Sequence, residues 1–333
     1  MNLFRLLLLC FAIASASVSA QTFPAKPIRL VIPFAAGSAT DTVARPLAQF
    51  ITERTKATIV VDNRPGAQGV IASELVKQAP PDGYTILLAT TTTHSQLPFL
   101  MKKMPYDPLR DFTPIAGIGG FPYLIVLHPS VPVRNIREFA NFIKSRPGEM
   151  TYGWPNAGAQ ICAEALARRT QTKLVGVPYK SSPQSLLELI DGQIGMICSD
   201  FASSHTHVRA NRLRAIAVTT HQRLPELPGI PTIKETYADF PEIRSWIGAL
   251  APPGTPREVV EWLEREILAA TANPAFAARL APLGFARIPL GRVAVFGVHA
   301  GGAEEVGRDE QGRRNRAAVS AKRCHSGERQ NPC

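Results

Sequence analysis

The sequence predicts an α/β protein, and three observations carry that prediction. Strand, turn and amphipathic helix alternate along most of the 333 residues, the pattern that builds parallel sheets covered by helices. Apolar residues make up 45% and charged residues 19%, which supports a sizeable core and excludes disorder throughout. Turn-forming clusters such as Asn63-Arg64-Pro65-Gly66 and Pro81-Asp82-Gly83 fall where one element should stop and the next begin. A chain of this length suggests about two domains.

The elements follow in order. Residues 28–33 read as a buried strand stopped by Pro33, which has no N–H for a ladder. Phe34 to Thr40 is a small-residue loop. From Asp41 to Arg54, Val43, Leu47, Phe50 and Ile51 recur at helical spacing, and Pro46 should kink that helix. A strand at 57–62, a helix at 70–78 and a strand from Tyr84 to Thr90 come next. Thr91 to Ser95, with His94, is a polar loop. A strand at 122–127 leads to a helix at 135–146, striped by Ile136, Phe139, Ala140 and Ile143. A strand at 150–153 leads through loop 153–160 to a helix at 161–169. A strand at 173–177, a helix at 183–190, an Asp191-Gly192 turn and strands at 194–198 and 213–218 continue the pattern. Residues 221–243 are Pro-rich and irregular. A strand at 245–250 leads to a helix at 256–270, with Val259, Val260, Leu263 and Ile267 on one face.

The two ends read differently. Arg5, the apolar run Leu6–Ile13 and the small-x-small pattern Val18-Ser19-Ala20 form a signal peptide over 1–20, which implies export. Residues 301–333 contain no Ile, Leu, Phe, Met, Trp or Tyr and cannot offset the entropy of ordering. The tail 291–333 is therefore expected to be disordered.

Charge and cysteine usage narrow the function classes. The formal net charge is +11. Residues 21–284 hold 27 basic against 21 acidic side chains, a spread-out excess that suits small anions and forms no nucleic-acid stripe. No Cys/His set has zinc spacing, and no cofactor is expected. Cys162 and Cys198 form either a disulfide or two buried thiols. His205-Thr206-His207 follows a strand end and reads as solvent-exposed histidines.

No GxSxG elbow, Walker loop, HExxH or dinucleotide GxGxxG is present. Two loops carry the chemistry instead. Phe34-Ala35-Ala36-Gly37-Ser38-Ala39-Thr40-Asp41 and Gly153-Trp154-Pro155-Asn156-Ala157-Gly158-Ala159-Gln160 each join a strand end to a helix start. Small side chains leave main-chain N–H groups accessible at an electropositive helix terminus, which can hold a carboxylate without Arg or Lys. Facing each other across a cleft, they would grip the ends of an anion.

Matching stretches then identify a resemblance. They include residues 24–34, Thr40-Asp41 with Ala44-Arg45, Val60 to Ala67, Pro81 to Thr85, Met104 to Thr113, Val177 to Lys180, Leu213 to Thr219, Leu227 to Thr232, and Trp246-Ile-Gly with Ala251 to Pro256. In this order, from about residue 22 to 290, the sequence resembles the Bug family of extracytoplasmic solute-binding receptors of tripartite tricarboxylate transporters. The resemblance implies a periplasmic-binding-protein-like, Venus-flytrap fold with two α/β domains joined by two crossing strands. Domain 1 would comprise 22–122 plus 246–290 and domain 2 would comprise 123–245. Strand 122–127 should cross and strand 245–250 should return. It also implies a monomeric periplasmic receptor that captures a small carboxylate (a di- or tricarboxylate, acidic amino acid or aromatic acid) and docks on integral-membrane subunits. Loops 34–41 and 153–160 would grip ligand carboxylates, with Thr91, His94 and Asp200 completing the cleft.

Departures from the family pattern matter. Ala35-Ala36-Gly37-Ser38 stands where Pro-Pro-Gly-Gly is usual, and each Pro to Ala change restores an N–H. Trp154 and Asn156 intrude in the second loop. Trp154 would stack on a planar ligand or plug the cleft wall, the plug being favoured. The family's last amphipathic helix is missing from 292–333, which points to a shifted reading frame near Arg292. The competing reading is a secreted α/β enzyme acting on a small carboxylate, with His94, Asp41 and Asp200 as acid–base groups.

Overall fold

A computed structural model describes residues 23–287; the expected signal peptide and the tail from 291 lie outside the described residues. Two sheets organise the chain. The first contains β1 (Ile28–Ile32), β2 (Ile59–Asn63), β3 (Thr85–Thr90), β4 (Thr113–Gly120), β10 (Ile247–Ala251) and β11 (Ala286–Arg287), in the order β11-β4-β10-β3-β1-β2. The second contains β5 (Tyr123–Leu127), β6 (Thr151–Trp154), β7 (Val175–Pro178), β8 (Met196–Asp200) and β9 (Arg214–Val218), in the order β7-β6-β8-β5-β9.

Helices cover both sheets. On the first, α1 (Ala39–Thr55) and α8 (Arg257–Ala272) bury Val43, Leu47, Val260, Leu263 and Ile267 against Leu30, Ile86, Leu88 and Ile115. Each such side chain contributes roughly 1.5–3 kcal/mol by leaving water. The opposite face packs on α2 (Val70–Lys77). On the second, α4 (Ile136–Lys144) and α5 (Ala157–Thr170) pack against Ile125, Leu127, Tyr152 and Met196. The expected stripe of α4, Ile136, Phe139, Ala140 and Ile143, is its buried face. The other face receives Leu186 and Leu189 of α6 (Ser182–Ile190) and Phe201 of α7 (Phe201–Arg209).

Several expectations are corrected. The sheets are mixed, not wholly parallel: β10 runs antiparallel to β3 and β4, and β5 antiparallel to β8 and β9. Strand β4 was not expected, because three glycines and a proline in Thr113–Gly120 are poor strand formers. The 91–95 segment is helical: a wide turn over Thr92–Gln96 runs into α3 (Leu97–Leu100). Helix α7 was also unexpected, and it buries His205, which stacks on Phe201 at 5.5 Å. Pro46 lies inside helix α1, as expected. Among the described residues, no group of His, Cys, Asp and Glu is arranged to hold a metal ion.

The chain passes between the sheets twice, at Phe121-Pro122 and at Arg244-Ser245. These two links clasp each other. The Ser245 N–H donates to the Phe121 carbonyl at 2.9 Å, and the Phe121 N–H donates to Ser245 Oγ at 3.0 Å. Cys162 of α5 and Cys198 of β8 form a disulfide, with Cα atoms 6.1 Å apart, an ordinary span for that bond. It ties the helix that opens beside the gap to the strand that ends there.

Candidate functional site

Parallel strands place helix starts at their carboxyl ends, where α/β sheets bind ligands. Here the ends of β1, β3, β6 and β8 meet at one cavity between the sheets, lined by Phe34, Ser38, Ala39, Thr40, Thr90, Thr91, Thr92, Tyr123, Asn156, Ser182, Asp200, Ser245 and Ile247. The antiparallel strands β5 and β10 begin at the same place, so Tyr123, Ser245 and Ile247 join the lining.

Three helices open onto this cavity in the same way. Ser38 caps α1 by accepting from the Asp41 N–H, Asn156 caps α5 by accepting from the Ala159 N–H, and Ser181 caps α6 by accepting from the Gln184 N–H. Each cap satisfies the third N–H and leaves the first two outside the helical ladder. The N–H groups so left are those of Ala39, Thr40 and Ser182, which line the cavity, and of Ala157 and Gly158; Pro183 has none. Helix dipoles add positive potential at each start. Among the described residues, the lining contains no Lys, Arg or His. Hydroxyls and main-chain amides supply its donors.

The first loop is latched from behind. Asp41 is buried, and its carboxylate accepts from the Gly37 N–H at 3.0 Å. It also accepts from Arg45 Nε at 2.9 Å and Nη2 at 3.0 Å, and from Asn63 Nδ2 at 3.1 Å. Burial opposes the charged form, but Arg45, the Gly37 N–H and Asn63 together hold this carboxyl below the ordinary range. Asn63 Nδ2 also donates to the Phe34 carbonyl at 2.9 Å. Gly37 needs its glycine because its φ is +78°, a left-handed backbone that other side chains rarely adopt. Asp41→Asn removes the charge that Arg45 holds while keeping an acceptor for Gly37. It should weaken ligand binding by about tenfold, the size of a charge-assisted hydrogen bond lost. Titration calorimetry beside an unchanged far-UV spectrum checks this.

Asp200 closes the opposite wall. It is 6% exposed and receives Asn156 Nδ2 at a long 3.4 Å. The Tyr123 hydroxyl donates to Asn156 Oδ1 at 3.1 Å and also lies against the Asp200 carboxyl. Burial pushes Asp200 up to about 6, opposed by Asn156, a backbone N–H and Tyr123. The same burial, with Asp200 nearby, pushes Tyr123 well above its ordinary value. Gly158 makes room for this cluster, because a Cβ there would come 2.2 Å from the Tyr123 hydroxyl.

Of the residues read as contacts, Phe34, Ser38, Ala39, Thr40, Thr91, Asn156 and Asp200 line the cavity. The others sit elsewhere. Ala36 and Gly37 are exposed, and the Ala35 carbonyl accepts from Ser38 N–H within its own turn. Asp41 faces Arg45 and Asn63. Ala157, Gly158 and Ala159 are buried in the first turn of α5 and are not among the lining residues, and the Ala159 N–H is taken by the Asn156 cap. Trp154 is half-buried against the core of the second sheet and is not among the lining residues. His94 is fully buried and faces Phe112 and Tyr106, with ring centroids 4.8 and 5.7 Å away. Its Nδ1 lies 2.8 Å from Thr93 Oγ1. Of His94, Asp41 and Asp200, the acid–base candidates of the enzyme reading, Asp200 lines this cavity.

Sequence reasoning missed Thr90, Thr92, Tyr123, Ser182, Ser245 and Ile247. One signal was legible: Tyr123 and Ser245 open the two strands expected to cross between domains. Thr91 is bolted to the second link, since its hydroxyl accepts from the Trp246 N–H at 2.6 Å.

Comparison with known proteins identifies the family and the fold. Residues 43–289 match the family described as tripartite tricarboxylate transporter family receptor. The periplasmic binding protein BugD is 31% identical, with a TM-score of 0.82 over 86% of this chain and 97% of that one. The R. palustris protein Rpa4515, solved with adipate, is 30% identical, with a TM-score of 0.83 over 87% of this chain and 98% of that one. MatC from Rhodopseudomonas palustris, solved with bound malate, is 26% identical, with a TM-score of 0.82 over 86% of this chain and 100% of that one.

Proposed function

Since the chain belongs to the tripartite tricarboxylate transporter receptor family, whose members are periplasmic solute-binding proteins, we propose that it captures a small carboxylate between its two lobes and presents it to integral-membrane subunits. The observation that carries this reading is the convergence of three N-capped helix starts on one cavity lined without Lys or Arg. Main-chain N–H groups at helix starts bind carboxylates by charge and by geometry. Relatives solved with adipate and with malate support the same ligand class.

The lobes are taken as 22–122 with 246–290, and 123–245, with residues 1–20 delivering the chain to the periplasm as a monomer. The cavity between them measures about 20 Å³, room for a water or so. A ligand with several carbons enters only if the lobes part about the Phe121-Pro122 and Arg244-Ser245 links. Closure then makes contacts that exist only with both lobes in place. No bond is made or broken.

A di- or tricarboxylate at a hundred times its Kd should stabilise the protein by about 2.7 kcal/mol, raising Tm by roughly 5–10 °C for a chain of this size. The matched uncharged amide should leave Tm unchanged. Differential scanning fluorimetry across a broad carboxylate panel reads this directly. A flat response from folded protein overturns the proposal.

A further inference from the structure

Asp200 is an acid at the centre of a site otherwise built for anions. We propose that it is the specificity determinant of the cleft: it accepts a hydrogen bond from the ligand, so the ligand is a carboxylate that also carries a donor group. The donor is a hydroxyl, an ammonium, or a second carboxyl that keeps its proton. This inference rests on the carboxylate-receptor reading of the same cavity and narrows it.

The two walls differ at one group. On the first lobe, Ala39 and Thr40 present N–H groups at the start of α1. On the second, beside the starts of α5 and α6, Asp200 adds acceptor oxygens that the first wall lacks. A carboxylate has about four acceptor positions, and its protein donors are few: Asn156 at 3.4 Å, a backbone N–H, and the Tyr123 hydroxyl, whose single proton Asn156 Oδ1 also competes for. The other lining groups are hydroxyls, an amide and apolar side chains, and none carries a positive charge. Tyr123 of β5 is the titratable group packed against Asp200; from α5 comes neutral Asn156, and from α7 the helix start itself.

A ligand carboxylate placed against an ionised Asp200 would set two like charges together where little water screens them. A donor at that end of the ligand instead completes the acceptor positions. The ligand's own carboxylate then lies toward Ala39 and Thr40, and the cleft reads both ends at once. An unsubstituted dicarboxylate enters only with one proton retained between its far end and Asp200, so its affinity depends on pH.

The test uses the whole exported protein and titration calorimetry at pH 8 and pH 5.5. The probes are matched unsubstituted, hydroxy- and amino-substituted carboxylates on four-carbon, five-carbon and benzene skeletons. At pH 8 a hydroxy or amino member of the best skeleton should bind at least tenfold more tightly than its unsubstituted parent, and the tighter of the two names the donor. The parent should gain about tenfold on going to pH 5.5. In Asp200→Asn the preference should fall below about threefold and the parent's pH dependence should vanish. Tyr123→Phe, which leaves the Asp200 carboxylate in place, should keep the ranking. The wild-type pH series decides the point even if a variant fails to fold. Carboxylates that bind without donor preference, or a ranking unchanged in Asp200→Asn, overturn this inference alone. Absence of binding by every carboxylate overturns the receptor reading and this inference with it.

Discussion

Gly120→Ala should destabilise the protein by about 3–5 kcal/mol, the range of severe core disruptions. A Cβ on Gly120 would lie 1.8 Å from the Ser245 carbonyl oxygen, 2.8 Å from its carbonyl carbon and 3.1 Å from Trp246 Cα. All three are backbone atoms, so no side-chain rotation relieves the overlap. The only relief is to push the two interlobe links apart. That movement breaks the hydrogen bonds between Phe121 and Ser245 and disturbs Thr91, which Trp246 holds by its N–H. For a chain of this length the loss corresponds to a fall in Tm on the order of 10 °C. Denaturant unfolding measures it, and a variant with the wild-type midpoint would show that the links do not approach as described.

Asp200→Asn should have the opposite sign at neutral pH: the variant should be more stable than the wild type. The folded-state pKa of Asp200, about 6, stands above the ordinary 3.8, so folding favours the protonated form. The favourable contribution is fully present below pH 3.8 and is lost as pH rises through 6. Above that, the buried charge costs roughly 3 kcal/mol. Asn has the same shape and no charge, so it removes the cost. In ligand-free protein the variant should gain up to about 3 kcal/mol at pH 8, and the gain should shrink toward zero at pH 4. Unfolding curves at the two pH values test this. A variant less stable than the wild type at pH 8 would mean that Asn156 and Tyr123 compensate the charge fully. A destabilising acid retained in a ligand cleft is the usual signature of stability given up for binding.

Much of the architecture was legible because its signals are local. The stripe in α4, the Asp191-Gly192 turn and the small-residue loop before α1 each report on themselves. What escaped was set by tertiary surroundings. Thr113–Gly120 is a strand because β10 and β11 flank it, and at its last two positions, Gly119 and Gly120, Phe285, Ala286 and Ser245 come too close for side chains. Phe201–Arg209 lacks an apolar stripe and is helical because Phe201, Ser204 and His205 fill one buried face. The polar run Thr92–Gln96 reads as a loop, yet Tyr106 and Trp246 draw it inward: the Tyr106 hydroxyl donates to the Thr93 carbonyl at 2.7 Å and Trp246 Nε1 donates to Ser95 Oγ at 3.1 Å. At the site, the two cap residues Ser38 and Asn156 could be found from strand–loop–helix order. Ser182 could not, because its place in the cavity depends on how the lobes face each other.

The most direct test is a crystal structure of the exported protein with a carboxylate that raises its Tm. A ligand carboxylate in the interlobe cavity, with an oxygen 2.7–3.2 Å from the Ala39 or Thr40 nitrogen, is the expected result. A ligand bound outside that cavity, or one held by Lys or Arg side chains with those amides turned away, would contradict it.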